Sequence, residues 1–152
     1  MPKLFTELVN EGLFNEWASL LDWFFDERKF DGWSPAQVGR LTKKIKKQLG
    51  IGKGNYRNDS FKNLSFSKRN SNSITIIFGP KGSEARNLIK HLRNGIAHGH
   101  SKIKKNKGIP WIELEDYNTN GQQTAYIYMP IDYIAQIHKL YVEVSKQNVV
   151  KQ

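Results

Sequence analysis

Apolar residues recur at steps of three and four along residues 4 to 28, where Leu13, Phe14, Trp17, Leu20, Leu21, Phe24 and Phe25 form one stripe and Glu16, Asp22 and Asp26 fall off it. That period predicts a single long amphipathic helix. A turn is expected at Asp31-Gly32, after which Ser34 can accept a bond from the first turn of a second helix and Pro35 suits its first position. Val38, Leu41, Ile45 and Leu49 mark the buried face of this second helix, with its lysines outside and Gly50 and Gly52 ending it.

Residues 50 to 73 are dominated by Gly, Asn, Ser, Lys and Arg and read as a partly mobile loop, with Tyr56, Phe61, Leu64 and Phe66 as its apolar anchors. The segment SITIIFG has the β-branched content of a short strand, although so brief an apolar run also fits a buried helical turn, and Gly79-Pro80 breaks it. Ser83 can cap a third helix, with Glu84 in its first turn, Ala85, Leu88, Ile89, Leu92 and Ile96 on its apolar face and Gly99 at its end. The basic SKIKKNKG then reads as loop. WIELED and TAYIYM around Asn120-Gly121 predict a hairpin, and Pro130 can open a last helix to about Lys146 with Ile134, Ile137, Tyr141 and Val144 facing inward. The pattern as a whole predicts a mainly α fold. Its form would be an up-and-down helical bundle of about four main helices with a small β-hairpin before the last helix, in one domain over residues 1–152.

Composition narrows the function classes. A chain of 152 residues suits one hydrophobic core. Cysteine is absent, so neither disulfides nor thiolate zinc sites enter. The opening residues lack the basic flank and unbroken apolar segment of a signal peptide, and Asn15, Glu16 and Asp22 interrupt the apolar residues that follow, whereas a membrane span needs about 20 nearly continuous ones. A soluble, cytoplasmic protein without a membrane partner is expected. The 24 Lys and Arg outnumber 14 Asp and Glu, leaving a net charge of +10. The surplus gathers in Lys43 to Lys47, in GIGKGNYR and FSKRN, and in Ser101 to Lys107. One lysine run alone fits a solvated face, but the total points to a polyanion, whose phosphates would replace released counterions.

The candidate chemistry lies in ARNLIKHLRNGIAHGH, residues 85 to 100, which holds Arg-Asn-x-x-x-His twice: Arg86-Asn87 to His91 and Arg93-Asn94 to His98. Helical sequences repeat readily at seven residues, so the duplication alone carries little weight. Seven residues advance about 700° along a helix, which stacks the two copies on common faces. Within a copy, five residues turn about 500° and leave Arg and His some 140° apart. Convergence on one phosphate therefore needs either a distorted helix, for which Gly95 is a candidate, or a second helix across a symmetric interface. The second copy is preferred, because Gly95 and Gly99 place His98 at a helix end, where the partial negative charge of the terminus suits a proton carrier.

LRNGIAHG, Leu92 to Gly99, resembles the Arg-x4-His signature of HEPN domains, and the phrase HLRNGIAHGH with a hairpin and a closing helix after it is most similar to the small plasmid-associated HEPN subfamily. The resemblance implies metal-independent cleavage of RNA, with no cofactor, at a composite site that Arg93 and His98 form across a homodimer. Asn94, the polar residue after the arginine, would orient the pair. A defence or toxin-antitoxin role is implied, with an antitoxin protein as a further partner. One family variant carries a tyrosine two residues after the histidine, which an antitoxin nucleotidyltransferase modifies; His100 stands there in this chain, so that route of regulation is not implied.

Such chemistry needs a base for the ribose 2′-hydroxyl, an acid for the leaving 5′-oxygen and positive charge on the phosphorane oxygens, which histidine and arginine supply. Arg86, His100, Lys102, Lys104, Lys105 and Lys107 are the candidate nucleic-acid contacts. The competing reading is a non-catalytic module that binds nucleic acid or protein. The histidines lack carboxylate or cysteine companions at ligand spacing, so no metal site is expected. GIGKGNYR fits no phosphate-loop pattern and reads as a turn, and His138 reads as a packing residue. Trp111 and Tyr126 are candidates for base stacking, with core filling the stronger expectation.

Overall fold

The computed structural model describes residues 3–10, 12, 17–51, 56–57, 74–79 and 82–150. Its helices are α1 (Lys3–Asn10), α2 (Trp17–Phe25), α3 (Pro35–Gln48), α4 (Glu84–Ala97) and α5 (Tyr133–Val150). Its strands are β1 (Tyr56–Arg57), β2 (Thr75–Phe78), β3 (Ser101–Asn106), β4 (Ile109–Tyr117) and β5 (Gln123–Pro130). They form one sheet in the order β1-β2-β5-β4-β3, with β1 parallel to β2 and every other pair antiparallel.

This overturns the expected mainly α bundle. The hairpin β4–β5 is the centre of a sheet, extended on one side by TIIF and on the other by the lysine-rich segment expected as loop, and the fold is mixed α/β. The physical reason lies in SKIKKN, which pairs residue for residue with β4, Lys102 opposite Glu113 and Ile103 opposite Ile112. A single apolar residue among lysines hides the alternation, yet lysines are what an edge strand tolerates, because they discourage pairing with another chain. The expected long first helix is also two helices. Gly12 between them takes a positive φ of 73°, which a continuing helix does not allow; Leu13, Phe14 and Glu16 lie outside the described residues. So do Gly52, Phe61, Leu64, Phe66 and Pro80, while Tyr56 and Arg57, expected in loop, form β1.

Other local expectations hold. Ser34 accepts the amide of Gln37 at 3.1 Å and Pro35 begins α3. The helix closes with Ile51 N–H donating to Lys46 O and Gly50 N–H to Lys47 O, Gly50 having φ 65° and Ile51 being buried. Pro130 ends β5 instead of opening α5, which starts at Tyr133. Ile134, Ile137 and Val144 are buried on that helix, as expected, and Tyr141 is partly buried.

The core lies between the helices and one face of the sheet. Alternation along the strands sends Ile76 and Phe78, Ile112 and Leu114, and Ala125, Ile127 and Met129 to that face, where they join Leu41, Leu88, Leu92 and Ile137 in one cluster. Among the described residues no helix is long and apolar enough to cross a membrane.

Candidate functional site

Helix α4 carries both motif copies and rests its apolar face against β4. The approach is close: a Cβ on Gly95 would come within 2.4 Å of the Leu114 side chain. Gly95 is therefore where helix meets sheet, and the helix stays regular through Ala97. The alternative in which Gly95 bends the helix to bring Arg93 and His98 together is excluded by that regularity. Ser83 occupies the N-cap position, but its side chain makes no capping bond; the amide of Ala85 donates instead to Thr42 Oγ1 of α3 at 3.3 Å. At the other end His98 is the C-cap, Gly99 takes φ 75°, and the amides of Gly99 and His100 donate to Ile96 O at 3.2 Å and Gly95 O at 2.8 Å. This glycine-closed end turns the chain directly into β3.

The two copies differ in kind. His91 is buried, bonded through Nδ1 to Oδ2 of Asp116 at 2.7 Å, with its ring 5.6 Å from that of Phe78. The same Asp116 oxygen accepts Asn94 Nδ2 at 3.3 Å, and Asp116 Oδ1 accepts the amide of Tyr117 at 2.8 Å. Asn94 Oδ1 in turn accepts Arg93 at 3.2 Å, and the other arm of that guanidinium donates to Glu27 Oε1 at 3.0 Å. Its carbon lies 5.9 Å from the Phe25 ring centroid. One connected network thus runs from His91 through Asp116 and Asn94 to Arg93 and out to Glu27.

His98 stands apart from it. It is exposed at the helix end, its ring 6.4 Å from that of His100, and among the described residues it makes no side-chain hydrogen bond. Arg93 points toward α2 and the turn after it while His98 lies at the mouth of β3, as the 140° offset of a regular helix requires. A single copy does not bring the pair together.

Sequence reasoning missed Asp116 and Glu27. Asp116 left a signal, since it follows Ile112 and Leu114 at inward positions of β4, and a carboxylate there needs partners. Glu27 left none, being an acid in a turn distant in sequence from Arg93.

The other candidates scatter. Arg86 is exposed with its guanidinium 5.3 Å from the Phe30 ring. Lys102 and Lys104 both pair with Glu113 Oε1, at 3.3 and 3.0 Å, on the sheet face away from the helices. Burial pushes the Glu113 carboxyl up, but the Tyr126 hydroxyl, donating to Oε2 at 2.8 Å, and the two ammonium groups outweigh it and hold it below its ordinary range. Lys105 and Lys107 are exposed at the far end of the β3–β4 turn. Tyr126 is buried and so unavailable for stacking, Trp111 is half-buried with its ring 4.7 Å from Tyr128, and His138 packs 4.8 Å from Trp23. No three His, Asp or Glu side chains gather as a metal ion would need, among the described residues.

No curated protein and no solved structure matches the chain. The family described as HEPN pEK499 p136 matches over residues 16–152, a span that takes in α2, every strand of the sheet and the whole of α4 with its two motif copies. By that match over most of its length, the chain belongs to the plasmid-associated HEPN pEK499 p136 family.

Proposed function

We propose that this protein is a metal-independent endoribonuclease of the defence or toxin-antitoxin type, working as a homodimer in which Arg93 of one copy and His98 of the other address one RNA phosphate. One observation carries the reading: on an undistorted α4, Arg93 is fixed through Asn94 and Asp116 while His98 is exposed at the helix end, so the two complete a site only with a second copy. In that site a histidine takes the proton of the ribose 2′-hydroxyl, whose oxygen attacks the adjacent phosphorus; the bond to the 5′-oxygen breaks and a protonated histidine supplies the proton that oxygen needs. Arg93 neutralises the phosphorane oxygens. A two-fold dimer supplies both histidine roles. Lys105, Lys107 and Arg86 offer sequence-independent phosphate contacts, and an antitoxin would be a partner that covers this surface.

The test is cleavage of RNA in the presence of chelator, with products ending in 2′,3′-cyclic phosphate. Equal cleavage of a 2′-deoxy substrate would refute the mechanism. The Arg93–Glu27 ion pair favours a second reading, a non-catalytic nucleic-acid-binding or protein-interaction module in which the arginine is structural. That reading requires salt-sensitive RNA binding with no turnover.

A further inference from the structure

Along α4, Arg86, Lys90 and Arg93 follow one another at steps of four and three. A regular helix sets them within about 60° of one another, about 6 Å and then about 4.5 Å apart along its axis. Arg86 and Lys90 are exposed, and Arg93 is half-buried at the end of the row. Ala97, one turn further on the same face, is exposed and small, so nothing on the helix closes the row before His98.

The row works against the helix that carries it. Like charges at such steps repel, and Arg86 stands in the first turn, where the helix dipole disfavours a cation. The one acid of α4, Glu84, does not relieve it, being paired with Lys46 of α3 at 2.6 Å. Among the described residues neither Arg86 nor Lys90 makes a hydrogen bond or an ion pair. The Arg86 guanidinium lies over the Phe30 ring, 5.3 Å from its centroid, a contact that orders the side chain without using its N–H donors. Among the described residues the acid bonded to the row is Glu27, at its Arg93 end.

Two unpaired cations in line with a third call for a ligand whose negative charges are also in line. A small anion would fill one position and leave the others unmatched. An RNA strand supplies the line through its covalent repeat, one charge per nucleotide, and phosphate suits both the forked donor of arginine and the point charge of lysine.

We propose that Arg86, Lys90 and Arg93 form a track for one RNA strand, with Arg93 on the phosphate to be cleaved and Lys90 and then Arg86 on the phosphates next along the chain, an inference that rests on the RNA-cleaving reading. Lys90 becomes a substrate contact, and Arg86 gains a fixed place in the order. Because Arg93 ends the row, these contacts grip the strand on one side of the cleavage point.

The experiment measures binding of fluorescein-labelled 2′-O-methyl hexauridylate, which cannot be cleaved, by anisotropy at a series of salt concentrations. For a single strand, each phosphate contact contributes about 0.7 to the slope of log K against log salt. Lys90→Ala and Arg86→Ala should each reduce the magnitude of the slope by about that amount. Lys139→Ala, which removes the same charge from an exposed position on α5, should leave it unchanged. Lys90→Arg keeps the charge and should keep the slope. Thermal melting checks that the variants fold, and Lys90→Ala, which relieves repulsion within α4, should melt no earlier than the natural chain. An unchanged slope in either Lys90→Ala or Arg86→Ala overturns the proposal, as does an equal loss in Lys139→Ala, which would mean diffuse attraction to the net charge. Cleavage of unmodified RNA in chelator is scored separately. Slope losses at Lys90 and Arg86 without cleavage keep the track and remove the nuclease; cleavage with both slopes unchanged does the reverse.

Discussion

His91 of α4 and Asp116 of β4 are joined by a buried bond of 2.7 Å, and the oxygen that receives it also holds Asn94, the residue beside Arg93. The first motif copy therefore supports the second across the helix–sheet boundary. Its histidine is anchored where the other copy's is presented.

Removing that anchor should be costly. Asp116→Ala strips the acceptor from the His91 ring, the Asn94 amide and the Tyr117 backbone N–H at once. A buried group left unsatisfied, as the His91 ring would be, costs roughly 1–3 kcal/mol, the part-buried Asn94 and Tyr117 groups cost less, and the three are coupled, so a loss of about 3 kcal/mol is expected. Urea unfolding reads it, and a loss below about 0.5 kcal/mol would show that the network does not hold the helix to the sheet.

Gly95→Ala sets two effects against each other. Alanine improves helix propensity by about 1 kcal/mol, but its Cβ would lie 2.4 Å from Leu114, and overpacking a tight contact costs typically 1–3 kcal/mol. The net change should be destabilising. Leu114→Ala in the same chain should cost less than it does in the Gly95 background, because the cavity and the extra methyl compensate; strict additivity in thermal melts would contradict the close approach.

Glu113 gives a pH dependence of definite sign. Burial raises its pKa, while Tyr126, Lys104 and Lys102 lower it by more, so the folded value lies below the ordinary 4.5. A depressed carboxylate contributes stability that is fully present above the unfolded pKa and is lost as pH falls through the folded one. Glu113→Gln should therefore be less stable than the natural chain at pH 7, with the gap closing from about pH 4.5 downward. A gap that stays constant to pH 2 in denaturant titrations would mean that the ion pairs contribute nothing.

Much of this was legible because it is local. Ser34-Pro35, Gly50 and Gly99 mark helix ends through bonds within a few residues, and the structure places them as the sequence implies. The sheet was not legible. Whether SKIKKN is loop or strand is decided by Glu113 and Ile112 across the gap, and one isoleucine among lysines leaves too little alternation to show it. The site divides the same way. RNGIAHG announced a helix end bearing an exposed histidine, whereas the partners of Arg93 and Asn94 come from distant elements, Glu27 after α2 and Asp116 in β4.

His98 and His91 should separate stability from activity under the proposed function. His98→Ala removes an exposed ring with no hydrogen-bonding partner among the described residues, so its melting should match the natural chain, while RNA cleavage should fall by about 10² to 10⁴, the usual contribution of a positioned acid or base. His91→Ala should instead melt earlier, because it empties a buried site and leaves Asp116 without one of its donors. Cleavage that survives His98→Ala would remove that residue from the chemistry.

Glu27 holds the guanidinium that the proposed mechanism needs for phosphate. The pair is open to solvent, with the Glu27 side chain 77% exposed and that of Arg93 31%, and exposed ion pairs are typically worth no more than about 1 kcal/mol. A phosphate, carrying a full charge and two oxygens for a forked donor, can displace such a carboxylate. Glu27→Gln removes the competitor and the local repulsion toward RNA while leaving Asn94 to orient the arginine. RNA should then bind up to about fivefold more tightly at low salt, the factor that 1 kcal/mol allows, with the gain shrinking as salt screens the lost charge. If binding instead weakens in proportion to a loss of folded protein, the ion pair is a structural clamp between the α2 turn and α4, and Arg93 is not the group that meets phosphate.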